Sequence, residues 1–162
     1  MPCLVAALAV LVLASPLYAQ SQGFASVGRM IVGDDGPQLT ASAGGEVVGP
    51  SGLFVGGEAL VSFGRTGFRP GFPNGEPYRQ YVLSALVGAQ ARSLGGFAPF
   101  VNGGLSLVTD PDCCGPGFGW NVGGGTNYWL TDRFGIRADL RLILALAGEG
   151  GSVMGRVGMV FR

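Results

Sequence analysis

From Phe134 to Leu144 the chain alternates polar and apolar residues: Arg137, Asp139 and Arg141 share one parity, and Ile136, Ala138, Leu140, Leu142 and Leu144 share the other. Successive side chains on a strand point to opposite faces, so this segment predicts a strand with one charged and one apolar face. The neighbouring runs Phe118 to Leu130 and Val153 to Phe161 repeat the pattern. In the first, Asn121, Gly123, Gly125 and Asn127 oppose Trp120, Val122, Thr126 and Tyr128; in the second, Arg156 and Gly158 oppose Val153, Val157, Met159 and Phe161. A soluble sheet turns its charged face to water, whereas a transmembrane barrel turns its apolar face to lipid and its charged face to the lumen.

The same period predicts strands upstream, at Phe24–Val32, Leu39–Val48, Leu53–Phe63, Tyr78–Ala89 and Phe97–Val108. Thr40, Ser42, Gly44 and Glu46 fall together on the second, opposite Leu39, Ala41, Ala43 and Val47, and Glu58 lies on the polar parity of the third. The first, fourth and fifth alternate less cleanly, and Arg29, flanked by Val27 and Ile31, suggests a bulge. Eight strands of about 9–11 residues suit a tilted crossing of a bilayer. Gly- and Pro-rich breaks separate them, and no helical period appears. In chain order the connections read moderate, short, long, short, long, short and moderate. That is the order expected when alternate connections face the periplasm and both termini lie on the short-turn side.

Composition narrows the class further. Leu4 to Ala14 is an apolar run too short to span a bilayer, and with Ser15, Pro16 and Ala19 it reads as a secretory signal over residues 1–19. The barrel domain then occupies 20–162. The chain has 31 glycines, 48% hydrophobic and only 12% charged residues, no net charge and no lysine. Such a composition argues against a helical membrane protein, a disordered chain and a nucleic-acid binder. Trp120 and Tyr128 share the apolar parity at a spacing of ~26 Å along the strand, the placement of two interfacial aromatic girdles.

The stretch from Phe118 to Arg141, with the closing Val157-Gly-Met-Val-Phe161-Arg162, resembles the last strands of small bacterial outer-membrane β-barrels built like the OmpA transmembrane domain and OmpX. The resemblance implies an all-β, eight-stranded antiparallel up-and-down transmembrane barrel in the bacterial outer membrane. It also implies a terminal aromatic read by the barrel-assembly machinery, here followed by Arg162, and no particular activity.

Candidate chemistry is sparse. Glu46, Glu58, Arg137, Asp139, Arg141 and Arg156 form the expected lumen set. They read either as a salt-bridge network that plugs the barrel and fixes its register or as a narrow ion path for which inward glycines leave room. The chain has no histidine, and outer-membrane barrel enzymes resemble one another in using one as base, so no catalytic residue is assigned. Arg65, Phe68, Arg69 and Phe72, in the loop Gly64–Pro77, suit an anionic sugar, lipopolysaccharide head groups or a protein surface; the alternative is a Pro-stiffened loop dipping into lipid. Cys113 and Cys114, in a loop with Asp110 and Asp112, could form a strained vicinal disulfide or pair with other chains. No metal or cofactor is assigned. The expected role is non-enzymatic, in envelope structure or surface interaction through the outer loops, with outer-membrane lipid and lipopolysaccharide as partners. The alternatives are a soluble lipocalin-like binder of small ligands and a narrow-conductance pore.

Overall fold

Alternation of small or polar residues with apolar ones, broken by turn residues, leaves a chain of this composition one way to satisfy its backbone: strands pairing edge to edge until no edge remains. A computed structural model of the protein describes residues 19–32, 37–65, 77–110, 114–146 and 150–162. It contains eight strands: β1 (Gln20–Val32), β2 (Pro37–Val48), β3 (Leu53–Arg65), β4 (Pro77–Gln90), β5 (Phe97–Asp110), β6 (Cys114–Trp129), β7 (Phe134–Ala145) and β8 (Gly151–Phe161). Each pairs antiparallel with its neighbour in sequence, and β1 pairs with β8 to close the barrel. All eight expected strands are present, in the expected order.

The hydrogen-bonded rows spiral. Starting at Ser21, successive partners are Val47, Val55, Val87, Gly103, Val122, Leu142 and Val153, and the row re-enters β1 at Ile31, ten residues beyond its start. For eight strands this stagger sets a tilt of about 40°. Each row therefore climbs from the end of the barrel that holds both termini toward the opposite end, in the order β1 to β8.

Parity sets the two faces as the sequence suggested. Val27, Leu39, Leu83, Val101, Phe118, Trp120, Leu140, Val157 and Met159 stand exposed on the outside, Leu140 at 67%. The inward positions carry most of the polar and charged groups. A continuous apolar outer surface of this kind marks contact with lipid rather than water. Phe97, Tyr128, Phe134 and Phe161 point outward near the terminal end, and Phe63, Tyr81, Phe118 and Trp120 point outward toward the other end. These are two aromatic belts. A lipocalin-like barrel needs the reverse arrangement, an apolar interior and a polar outside.

Two expectations are corrected. β1 pairs without interruption through Arg29, which faces Leu39 on β2 and Gly155 on β8, so there is no bulge there. Arg29 breaks the pattern because it points outward among apolar neighbours. The irregularity lies in β5 instead, where the register shifts between Val108 and Asp110. The long loop expected between the fifth and sixth strands is also shorter than the sequence suggested. Asp110 belongs to β5 and Cys114 to β6, where they pair, leaving residues 111–113 as the connection. Gly and Pro in Cys114–Gly117 read as loop, but inter-strand pairing overrides local propensity there.

At the terminal end the turns are tight. Gly52 adopts φ of 85°, and a side chain there would strike the Gln90 carbonyl that faces it. Thr131 Oγ1 accepts from the backbone N–H groups of Arg133 and Phe134 at 3.3 and 3.0 Å, fixing the break between β6 and β7. The Arg162 guanidinium lies 3.7 Å from the centre of the Trp129 ring, and its backbone N–H donates to the Arg133 carbonyl.

Candidate functional site

Among the described residues, the fold gathers charge in the lumen. All six residues of the expected lumen set point inward and are buried. They form a single alternating chain. Arg137 donates from Nη1 and Nη2 to the two carboxylate oxygens of Glu46 at 3.1 and 2.8 Å, a bidentate pair. Its Nε lies 3.6 Å from Oδ2 of Asp139. Asp139 Oδ1 accepts from Nε and Nη2 of Arg156 at 3.0 and 2.8 Å. Arg156 Nη1 then donates to Ser42 Oγ at 3.0 Å and to Glu58, whose other oxygen accepts from Arg141. The order is Glu46, Arg137, Asp139, Arg156, Glu58, Arg141, with acid and base alternating and no net charge.

Buried ions survive only when paired, and the stagger of the wall brings β2 and β3 across the lumen to β7 and β8 to make those pairs. Aromatic rings complete one end. The Arg137 guanidinium sits between Phe24 and Phe100, at 4.3 and 4.1 Å from the ring centres. Neither ring was part of the expected site, although both lie on the inward parity of their strands.

Apolar residues pack in the lumen on either side of the charges. Toward the terminal end Val48, Phe54 and Phe100 pack together, with the two rings edge to face at 6.5 Å. Toward the opposite end Met30, Leu60, Val82, Ile143 and Met154 form a second layer, with Val32 and Val108 against it. An apolar constriction opposes ion passage by excluding water.

At several inward glycines beside the charges, neighbouring side chains use the space. A Cβ at Gly44 would lie 2.5 Å from the Phe24 ring, one at Gly28 would lie 2.6 Å from Cγ of Arg156, and one at Gly56 would lie 2.9 Å from Cγ of Glu46. The glycines are what allow these large side chains to lie flat against the wall.

The remaining wall, β4 to β6, is lined by uncharged polar groups. Ser84 and Ser106 hydroxyls are 2.8 Å apart, Asn121 Nδ2 donates to Ser106 Oγ at 2.8 Å, and Asn127 Nδ2 donates to Gln90 Oε1 at 3.3 Å. Both amide atoms of Asn102, Oδ1 of Asn121 and of Asn127, and Nε and Nη2 of Arg141 have no protein partner. Buried groups of this kind are what ordered water satisfies.

The loop set fares differently. Arg65 ends β3, while Phe68, Arg69 and Phe72 lie outside the described residues, as does Cys113 of the cysteine pair. The signal segment through Tyr18 lies outside them as well.

No protein-family model and no curated protein matches the chain. Among solved structures it is similar to Neisserial surface protein A, with a TM-score of 0.69 and 13% identity over 88% of this chain and 97% of that one. The N-terminal β-barrel domain of Pseudomonas aeruginosa OprF aligns with a TM-score of 0.57 and 17% identity, over 88% of this chain and 98% of that domain. Ail, the attachment invasion locus protein of Yersinia pestis, aligns at 0.52 and 13%, over 88% of this chain and 99% of that one, in a complex with the heparin analogue sucrose octasulfate. At these identities the likeness is one of fold. The chain has the fold of the small bacterial outer-membrane barrels.

Proposed function

We propose that the protein is exported to the bacterial outer membrane by a signal over residues 1–19 and acts there without enzymatic activity. In this reading it is a structural element of the envelope and a platform for surface contacts. The observation that carries the reading is a chain of paired charges held between two apolar layers inside a barrel whose outside is apolar. Each carboxylate in the lumen is already held by an arginine, so none is poised as an acid or base, and the apolar layers argue against the narrow-pore alternative. What remains for interaction is the outer surface and the loops at the end away from the termini.

The partners follow from the same reading: outer-membrane lipid and lipopolysaccharide around the barrel, and the barrel-assembly machinery at the closing strand with Phe161. Arg65, Phe68, Arg69 and Phe72 would serve anionic sugars or head groups. The complex of the fold neighbour Ail with a heparin analogue supports that choice of ligand chemistry. Cys113 and Cys114 would report the redox state of the surface.

The test uses membrane-fraction protein in SDS gels, boiled and unboiled, followed by planar-bilayer recording of the purified protein. The expected result is a compact unboiled band that shifts on boiling, and no conductance at any voltage. Protein confined to the soluble fraction with no shift would overturn the membrane reading, and steady single-channel steps would restore the pore.

A further inference from the structure

The charges inside the barrel are all paired, whereas Arg29 has no partner among the described residues. It stands exposed on the outer face of β1 between Val27 and Ile31, which are 62% and 55% exposed. Among the described residues it makes no hydrogen bond or ion pair. Among those residues it is also the only charged outward side chain between the two aromatic belts.

Its height follows from the spiral of the wall. The row through Arg29 continues to Leu39, Phe63 and Arg79. With strands about 4.8 Å apart and a tilt of about 40°, Phe63 stands about 6 Å nearer the loop end than Arg29, and Arg79 about 9 Å nearer. Arg29 thus sits just inside the upper belt and Arg79 just beyond it, also exposed and unpartnered among the described residues. A cation facing hydrocarbon is costly at mid-bilayer and tolerated near the interface, where a long side chain extends its head to the polar layer. An unpaired guanidinium at that depth calls for an anion that is itself part of the lipid.

The wall beneath Arg29 is shaped for such an occupant. Ala25 on β1, Ala41, Ala43 and Gly45 on β2, and Gly57 and Ala59 on β3 all face outward and are joined through the register. The opposite wall presents Leu105, Trp120 and Leu140. Straight chains lie close against the first surface and not against the second.

We propose that Arg29 and Arg79 hold the two phosphates of a multi-acyl glycolipid of the outer leaflet, of the lipid A type, with its chains along the small-residue wall. This inference rests on the membrane-barrel reading. Two cations about 14 Å apart along one row match a head group with a phosphate at each end. A glycerophospholipid with a single phosphate would engage one arginine and leave the other bare.

The experiment is native mass spectrometry of the full folded chain in detergent with bisphosphorylated lipid A, its didephosphorylated form or phosphatidylglycerol. Each sample is also run unboiled on a gel. The wild type is expected to retain one bisphosphorylated lipid in preference to the other two. Arg29→Gln and Arg79→Gln are each expected to reduce retention about fivefold and the double variant more, while Arg29→Lys keeps most of it. Unchanged retention in the double variant, or equal retention of either control lipid by the wild type, would overturn the proposal. A wild type that gives the compact band yet holds no lipid overturns this inference alone. One that gives no compact band overturns the membrane reading and this inference with it.

Discussion

The two halves of the lumen solve the same problem in different ways. Strands β2, β3, β7 and β8 carry all six charges, and each is tied to at least one opposite charge. Strands β4, β5 and β6 carry serines and amides, several with atoms that no protein group satisfies, as is also true of the uncharged Gln38 and Thr40 on β2. An amide next to water loses little, whereas a bare ion in the same place loses several kcal/mol. The charged half is therefore interdependent and the neutral half tolerant. Arg141 stands where they meet, with Nη1 held by Glu58 while its Nε and Nη2 lack a protein partner.

Substitutions sharpen that contrast. The largest effect is expected for Glu58→Leu, which leaves Arg141 and Arg156 without their shared partner. A loss of about 3–5 kcal/mol, read from urea unfolding in lipid vesicles by the unboiled band, is expected. A loss below about 1 kcal/mol would mean that the charges do not depend on one another. Arg137→Met alone should cost about 3 kcal/mol because Glu46 stays buried and bare, whereas Arg137→Met with Glu46→Leu should fall within about 1.5 kcal/mol of wild type. If the double variant costs as much as the sum of the two singles, the pair is not coupled. Ser84→Ala should cost no more than about 1.5 kcal/mol and Asn102→Ala less, since Asn102 loses no protein partner. A loss above 3 kcal/mol for either would show that the neutral half is as interdependent as the charged one.

The strands, and which residues share a face, were legible because both depend on a period of two, which needs no knowledge of neighbours; which face turns inward was not. Strands β1, β4 and β5 alternated poorly because Phe24 and Met30, Val82 and Leu86, and Phe100 and Val108 point inward, where the pattern elsewhere places polar groups. Met30, Val82, Phe100 and Val108 belong to the two apolar layers and Phe24 packs on Arg137, so the lapses in pattern marked inward apolar packing. Membership of the charged set was readable from parity. The pairing within it was not, because Glu46 and Arg137 lie 91 residues apart and meet only through the stagger of the closed wall. Arg29 looked like a local irregularity because the pattern reports a mismatch without saying which side of the wall carries it.

The layered lumen has a consequence for assembly. Alternation forbids a strand to slide by one residue, since every side chain would change face, but a slide by two keeps each side chain on its proper face. The charges catch that second kind of error. In the native register Arg156 on β8 faces Asp139 on β7, while Arg137 faces Gly158 and Arg141 faces Met154. A closing strand displaced by two residues in either direction would set Arg156 opposite Arg137 or Arg141, one cation against another. The last strand to dock therefore meets a charge check against the nearest slide that parity alone would permit.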